Sequence, residues 1–116
     1  MTTRQRAKGN AAEDQVLDYL VGQKLRLVTR NYSCRAGEID LIMQDGAQLV
    51  FVEVRYRTRG DFGSALESVT PGKQRKLITT AQHYLQRSGK TPACRFDVVG
   101  MGPDRQMHWI KNAFDA

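Results

Sequence analysis

The sequence predicts an α/β domain in which a central mixed sheet, built around a β-hairpin, is flanked by helices. Three observations support this fold class. Segments with helical periodicity alternate with β-rich stretches, a pattern that places helices against a sheet. Residues 37–43 and 49–55 are rich in β-branched and aliphatic residues. Asp45-Gly46 lies between them, and this dipeptide is a strong signal for a hairpin turn.

The composition is that of an ordinary globular domain with a basic bias. The chain has 116 residues, of which 41% are hydrophobic and 26% charged, enough for one domain with its own core. Its 18 Lys and Arg against 12 Asp and Glu give a net charge of +6, which favours an anionic partner, either nucleic acid or an anionic membrane surface. The two cysteines indicate neither a disulfide framework nor a zinc site. The first residues lack the apolar segment of a secretory signal, and the apolar runs are too short to span a bilayer. A cytoplasmic protein with no membrane partner is therefore expected.

The first half of the chain predicts a helix and a strand before the hairpin. A helix is expected over residues 9–21, where Val16 and Leu20 belong to an apolar stripe suited to packing on a sheet. A first strand should follow over residues 25–32. Residues 31–37 should then form a connection into the hairpin.

The second half predicts another helix and two more strands. Thr70-Pro71 should open a helix over residues 70–86, because proline is favoured in a first helical turn. A strand is expected over residues 94–99 and a short edge strand over residues 107–110.

Charged residues interrupt the hairpin strands. If Asp45-Gly46 fills a two-residue turn, Asp40 faces Phe51 and Glu38 faces Glu53. Because strands alternate with a period of two, Asp40 and Glu53 then share a face as diagonal neighbours, roughly 5 to 8 Å apart at Cβ. A slip by one residue would put these two acids on opposite faces.

The same alternation divides the hairpin into an apolar face and a charged face. The predicted core face carries Ile39, Leu41, Met43, Val50, Val52 and Val54. The other face carries Glu38, Asp40, Ile42, Leu49, Phe51, Glu53 and Arg55. On that face Arg55 lies about 6.6 Å along the strand from Glu53.

Two carboxylates at this spacing repel each other unless a positive group lies between them, and two candidates remain open. One is Arg55, which would make the face a solvated ladder of ion pairs. The other is a hard divalent cation, which prefers oxygen ligands and often takes only one or two carboxylates. Glu13 in the first helix could point to the same face. The alternative for Glu13 is a first-turn glutamate stabilised by the helix dipole.

Basic side chains outside the hairpin suggest a surface for phosphate groups. They fall in residues 1–8, after the second hairpin strand and at the start of the second helix: Arg4, Arg6, Arg57, Arg59, Lys73, Arg75 and Lys76. Cations in the first turns of a helix oppose its dipole, so an external anion would explain the third group. The alternatives are a flexible, solvated basic arm over residues 1–8 and a solvated loop after the hairpin.

Several motifs resemble the small bacterial YraN family. They are Gly9-Asn10-Ala11-Ala12-Glu13, Gly37-Glu38-Ile39-Asp40-Leu41-Ile42, Phe51-Val52-Glu53-Val54-Arg55, Phe62-Gly63, Lys73 and Ala81-Gln82-His83-Tyr84-Leu85. The resemblance spans about residues 9–99. That family resembles archaeal Holliday junction resolvases and the restriction-endonuclease-like fold, which implies a single nuclease-like domain over residues 1–116.

The resemblance also implies a site. In that superfamily an acidic residue precedes an Asp/Glu-x-Lys motif on the next strand, often with a glutamate on the first helix. By position, Asp40 matches the first acid, Glu53 the second and Glu13 the helix glutamate. Arg55 stands where the lysine is expected. Asp40, Glu53 and the Val54 carbonyl would then hold Mg²⁺ or Mn²⁺.

The function implied by the resemblance is that of a metal-dependent endonuclease acting on structured or branched DNA. The alternative is a catalytically inactive nucleic-acid-binding module that retains the nuclease fold, because arginine effectively cannot be deprotonated as a lysine can. A third hypothesis is a protein-interaction domain whose basic face meets an acidic partner. A homodimer is expected only by analogy with resolvases.

Overall fold

The computed structural model describes residues 3–56 and 66–116, with side chains from residue 11 onward. In order, these ranges form α1 (Thr3–Gly22), β1 (Arg26–Cys34), β2 (Gly37–Asp45), β3 (Gln48–Tyr56), α2 (Pro71–Ser88), β4 (Ala93–Met101) and β5 (Met107–Phe114). The strands lie in the order β1-β2-β3-β4-β5. Neighbouring strands are antiparallel except β3 and β4, which are parallel and joined through α2. The predicted mixed sheet flanked by helices is confirmed.

The two helices cover opposite faces of the sheet. On the α1 face, Val16 and Leu20 pack in a buried cluster with Leu25, which precedes β1, and with these strand residues: Leu41, Met43, Val50, Val52 and Val99. On the α2 face, Leu77 and Ala81 pack in a second cluster with Ile39, Ile42, Leu49, Phe51, Val69, Phe96 and Val98. Full burial of each such aliphatic side chain stabilises the fold by about 1.5 to 3 kcal/mol. Neither of these helices has the length and apolar character needed to cross a membrane.

The ends of α2 follow from its capping residues. Thr70 is the N-cap, and its hydroxyl accepts a hydrogen bond from the Lys73 N–H at 3.3 Å. Pro71 occupies the first turn, where its missing N–H costs nothing. At the other end Gly89 has φ +72° and donates its N–H to the Leu85 carbonyl, as in a left-handed C-cap. The predicted start is confirmed, and the helix continues to Ser88 rather than ending at Gln86.

The first helix is longer than predicted. It begins at Thr3 rather than at Gly9, so the segment expected to be a flexible basic arm is helical from Thr3 onward. Residues 3–8 are rich in arginine, glutamine, alanine and lysine, which have high helix propensity. The sequence interpretation gave more weight to the charge of this segment than to its propensity.

The connection between β1 and β2 is much shorter than the predicted loop over residues 31–37. Tyr32 pairs with Ile39 and Ser33 with Glu38, so β1 continues to Cys34. The polar residues that suggested a loop are tolerated because β1 is an edge strand with one neighbour.

The last strand is also longer than predicted, continuing to Phe114 rather than ending at Ile110. The β4–β5 ladder is irregular near Asp97, whose side chain is fully buried there. Its carboxylate accepts hydrogen bonds from Trp109 Nε1 at 2.8 Å and from the Asn112 N–H at 2.9 Å. This carboxylate therefore replaces a strand acceptor for the Asn112 N–H and also satisfies the buried indole N–H of Trp109.

Candidate active site

The β2–β3 hairpin turns at Gly46-Ala47 rather than at Asp45-Gly46. Ile42 pairs with Phe51, whereas the prediction set Asp40 opposite Phe51. Gly46 has φ +60°, and glycine with positive φ at the first central position is typical of a type II′ turn. The predicted register was therefore wrong by two residues. A displacement by two does not by itself move a side chain to the other face, because the strand repeat is also two.

Asp40 lies where the hairpin ladder ends. The last regular pair is Leu41 with Val52, and the Asp40 side chain occupies the next position. The Val54 N–H donates a hydrogen bond to Asp40 Oδ2 at 2.8 Å. The carboxylate thus takes the place of a β2 backbone carbonyl as the acceptor for the Val54 N–H. It meets the Glu53 carboxyl group and also lines a cleft on the α1 side of the sheet.

The pleat of β2 is irregular at this point. Leu41 and Met43 lie on the α1 face as predicted, but Ile39 packs in the α2-side cluster beside Ile42. The prediction for Ile39 was wrong because it assumed a uniform alternation along the strand. Beyond the Leu41–Val52 pair β3 is bonded to the Asp40 side chain and not to the β2 backbone, so the regular pleat of β2 is no longer imposed from that side.

Asp40 and Glu53 form a hydrogen-bonded carboxyl pair. Burial, followed by the neighbouring charge of Glu53, raises the pKa of Asp40 to about 8, against the opposing hydrogen bond from the Val54 N–H. Burial also raises the pKa of Glu53, although the charges of Arg55 and Lys73 lower it. The pair therefore retains a proton at neutral pH, since a shared proton relieves the repulsion between two close carboxylates.

Arg55 is fixed by two side chains. Its Nη1 lies 3.2 Å from Glu53 Oε2, and its Nε donates to Ser68 Oγ at 2.9 Å. Ser68 precedes α2 and was not singled out from the sequence, because a lone serine carries no local signal. Arg55 therefore links β3 to the start of α2. It does not offset the burial of the acids, because the pKa of Glu53 stays raised beside it.

Glu13 lies near the pair but makes its ion pair elsewhere. Its Oε1 is 3.5 Å from Arg30 Nη2, and the same Nη2 lies 2.7 Å from Asp14 Oδ1. Burial, followed by the charge of Asp40, raises the pKa of Glu13. Within residues 3–56 and 66–116 no group of three or more His, Cys, Asp or Glu side chains is placed to hold a metal ion. The acids that the structure brings together are thus a pair, with Glu13 at its margin.

A cleft of about 590 Å³ opens on the α1 side of Asp40. Its lining residues are Ala11, Ala12, Glu13, Gln15, Asp40, Val54, Tyr56, Met101, Gly102, Pro103 and Arg105. The last four lie at the end of β4 and in the turn after it, and they reach the site because Tyr56 pairs with Met101 across the parallel strands. The sequence did not predict that these four residues line the cleft, because pairing between strands so far apart in the chain leaves no local pattern.

The predicted basic surface is described only in part. Lys73, Arg75 and Lys76 are exposed in the first turns of α2, and the charge of Lys73 reaches Glu53. Arg4 and Arg6 lie in α1, but their side chains are not among those described. Arg57 and Arg59 fall outside the described residues. The association of all seven residues with nucleic acid stays a prediction.

Known proteins resemble this chain over nearly its whole length. The model of the uncharacterised protein family UPF0102 matches residues 12–101. A UPF0102 protein of Nitrosococcus oceani is 55% identical over 115 residues, covering 94% of this chain and 92% of that protein. Another from a Janthinobacterium species is 52% identical over 114 residues, covering 98% and 92%. One from Nitrosospira multiformis is 54% identical over 112 residues, covering 95% and 94%. The chain therefore belongs to the UPF0102 family, the small bacterial family indicated by its YraN-like motifs.

Proposed function

We propose that this protein is a metal-dependent endonuclease that hydrolyses phosphodiester bonds in structured or branched DNA. The observation that carries the proposal is the Asp40–Glu53 carboxyl pair, brought together from neighbouring strands with Arg55 against Glu53. Groups whose pKa values are shifted by burial and by each other are common at catalytic sites. A cation shared by the two acids would relieve the repulsion that a proton now relieves.

The donor set suits a hard divalent cation, either Mg²⁺ or Mn²⁺. Asp40 and Glu53 would supply carboxylate oxygens and Val54 its carbonyl, and Mg²⁺ commonly takes one or two carboxylates with water and substrate phosphate. Glu13 Oε1 and Gln15 Oε1 are buried without a hydrogen-bond partner in the described part of the chain. Buried acceptor oxygens therefore border the pair, and Arg30 Nη2 lies 3.5 Å from that of Glu13. When bound, the ion would polarise the phosphodiester and lower the pKa of the attacking water.

Arg55 would contact the scissile phosphate. Its contacts to Glu53 and Ser68 hold the guanidinium beside the carboxyl pair, and a fixed guanidinium stabilises negative charge that develops on a phosphate in the transition state. Lys73, at the start of α2, would supply an ammonium group, since its charge acts on Glu53. Lys73 is exposed, so it would act as a second cation for the phosphate rather than as a base.

The basic side chains would bind the phosphate backbone of the nucleic acid. With a net charge of +6, the protein would bind DNA through the phosphate backbone, and binding would weaken with salt as counterions are released. The residues assigned to this surface are Arg4, Arg6, Arg57, Arg59, Lys73, Arg75 and Lys76. A cytoplasmic location and a homodimer matched to a two-fold DNA junction belong to the same proposal.

An inactive DNA-binding module is the second candidate, and Arg55 is the observation that favours it. The residue stands in place of the expected lysine, cannot serve as a base, and is already engaged by Glu53 and Ser68. Such a module would bind a DNA junction in a salt-dependent manner without cleaving it.

Cleavage of a labelled four-way DNA junction with Mn²⁺ tests the proposal. We expect the wild type to cleave, and Asp40→Asn and Glu53→Gln to be slower by about 100-fold or more, as when one group that stabilises transition-state charge is removed. The matched control is Asp18→Asn, an exposed acid on α1, which should match the wild type. Junction binding without cleavage would support the inactive module. Equal cleavage by all four proteins would reveal a contaminating nuclease.

A further inference from the structure

The cleft beside the carboxyl pair has mainly small and apolar side chains in its wall. Its volume of about 590 Å³ lies in the range of small-molecule sites, so a continuous duplex would stay outside it. Small and apolar side chains from α1 and β3, including Ala11, Ala12 and Val54, form much of its wall. Wall groups of this kind suit the flat face of a base.

Tyr56 places an aromatic ring at this cleft. It is the last residue of β3, pairs with Met101, and is 51% exposed although it is a large hydrophobic residue. An exposed aromatic side chain beside an apolar wall is a stacking surface for a base, because every base has a π face. In RNA- and single-strand-binding proteins such rings hold unpaired bases.

Two acceptors and one cation complete the cleft. Gln15 Oε1 is buried with no hydrogen-bond partner among the residues described, and Glu13 Oε1 is buried with Arg30 Nη2 no nearer than 3.5 Å, so both can accept from the amino and imino N–H groups of a base. Arg105 also lines the cleft, in a turn closed by the hydrogen bond from the Gly102 N–H to the Gln106 carbonyl. Its guanidinium can pair with a phosphate.

We propose that this cleft binds one unpaired nucleotide of a nucleic-acid strand, stacked on Tyr56, with its base facing Glu13 and Gln15 and a phosphate facing Arg105. The inference rests on the proposed function, because the cleft shares Asp40 with the carboxyl pair. It adds the substrate class: DNA that presents an unpaired nucleotide where it is cut, such as a flap, a gap or an open junction.

Binding in EDTA tests the cleft separately from cleavage. The probes are a fluorescent duplex carrying a single-stranded flap, the same duplex without a flap, and a flap made of abasic nucleotides. Loss of base stacking should reduce the affinity of Tyr56→Ala for the flap about 5- to 150-fold, while Tyr56→Phe stays within about twofold of the wild type. The abasic flap should bind the wild type as weakly as the intact flap binds Tyr56→Ala. The matched control is Val28→Ala, on the edge strand β1 and 41% exposed, which should bind like the wild type.

The outcomes separate this proposal from the nuclease proposal. Equal flap binding by wild type and Tyr56→Ala, with equal urea midpoints, would overturn the nucleotide cleft even if the wild type cleaves DNA. Weaker flap binding by Tyr56→Ala, together with no cleavage by the wild type, would support the nucleotide cleft and overturn the nuclease proposal. Deoxynucleoside monophosphates that bind tightly, with no difference between intact and abasic flaps, would show a free-nucleotide site and overturn the strand proposal.

Discussion

Replacement of Asp40 by asparagine should stabilise the folded protein at alkaline pH while removing the proposed chemistry. The variant keeps an acceptor for the Val54 N–H, which now donates to Asp40 Oδ2 at 2.8 Å. It removes only the ionisable group that faces Glu53. The stability change therefore reports the electrostatic cost of keeping this carboxyl group in its buried position.

The size of the effect follows from the pKa of Asp40, which rises from 3.8 to about 8 on folding. Each unit corresponds to about 1.4 kcal/mol, so a rise of about four units amounts to roughly 6 kcal/mol. Because Asp40 titrates together with Glu53, this free energy belongs to the pair rather than to one residue.

The sign is that of a raised carboxyl pKa. Below about pH 4 the group is protonated in both states and contributes nothing. Between about pH 4 and pH 8 the unfolded chain has lost the proton that the folded protein keeps, so the free energy of unfolding falls as pH rises. Above about pH 8 the full penalty is present.

Urea unfolding of wild type, Asp40→Asn and the Asp18→Asn control at several pH values measures this difference. At pH 4 we expect the three proteins to agree within about 1 kcal/mol. At pH 9 Asp40→Asn should be more stable by about 2 to 5 kcal/mol, since part of the pair's cost remains with Glu53. Mn²⁺ at 100 times its dissociation constant should stabilise only the two proteins that keep Asp40, by about 2.7 kcal/mol. Parallel pH profiles for wild type and Asp40→Asn would refute the buried-pair argument.

Three further changes test other parts of the structure. Arg55→Ala should slow junction cleavage and move the acidic limb of its pH–rate profile to higher pH, because Arg55 lowers the pKa of Glu53; an unmoved limb would argue against this ion pair. Gly46→Ala should destabilise the protein by about 1 to 2 kcal/mol in urea unfolding, because φ is +60° there although no atom lies within 4 Å of the added Cβ. A decrease in the free energy of unfolding of less than about 0.3 kcal/mol would mean that the turn adopts a conformation that alanine tolerates. Trp109→Phe should cost about 1 to 3 kcal/mol by removing the donor 2.8 Å from buried Asp97, and no change would show that water replaces the indole N–H.

The chemistry of the hairpin was predictable because it depends on local rules. Asp40 and Glu53 were placed on one side from strand alternation alone, and the two-residue error in register did not alter that result. The apolar stripes of both helices and the Thr70-Pro71 start of α2 are also local signals, and they were confirmed. The error at Ile39 arose where the regular ladder stops, which no single strand encodes.

The sequence by itself determined which residue types share a strand face or a helix stripe, because backbone periodicity is a property of consecutive residues. Only the tertiary structure decided which groups from other parts of the chain contact those faces. The bond from the Val54 N–H to Asp40, the contact of Ser68 with Arg55, and the cleft wall after β4 all depend on packing between elements far apart in the chain. Burial then raises the pKa of the carboxyl pair, since desolvation exists only once the sheet and both helices have assembled.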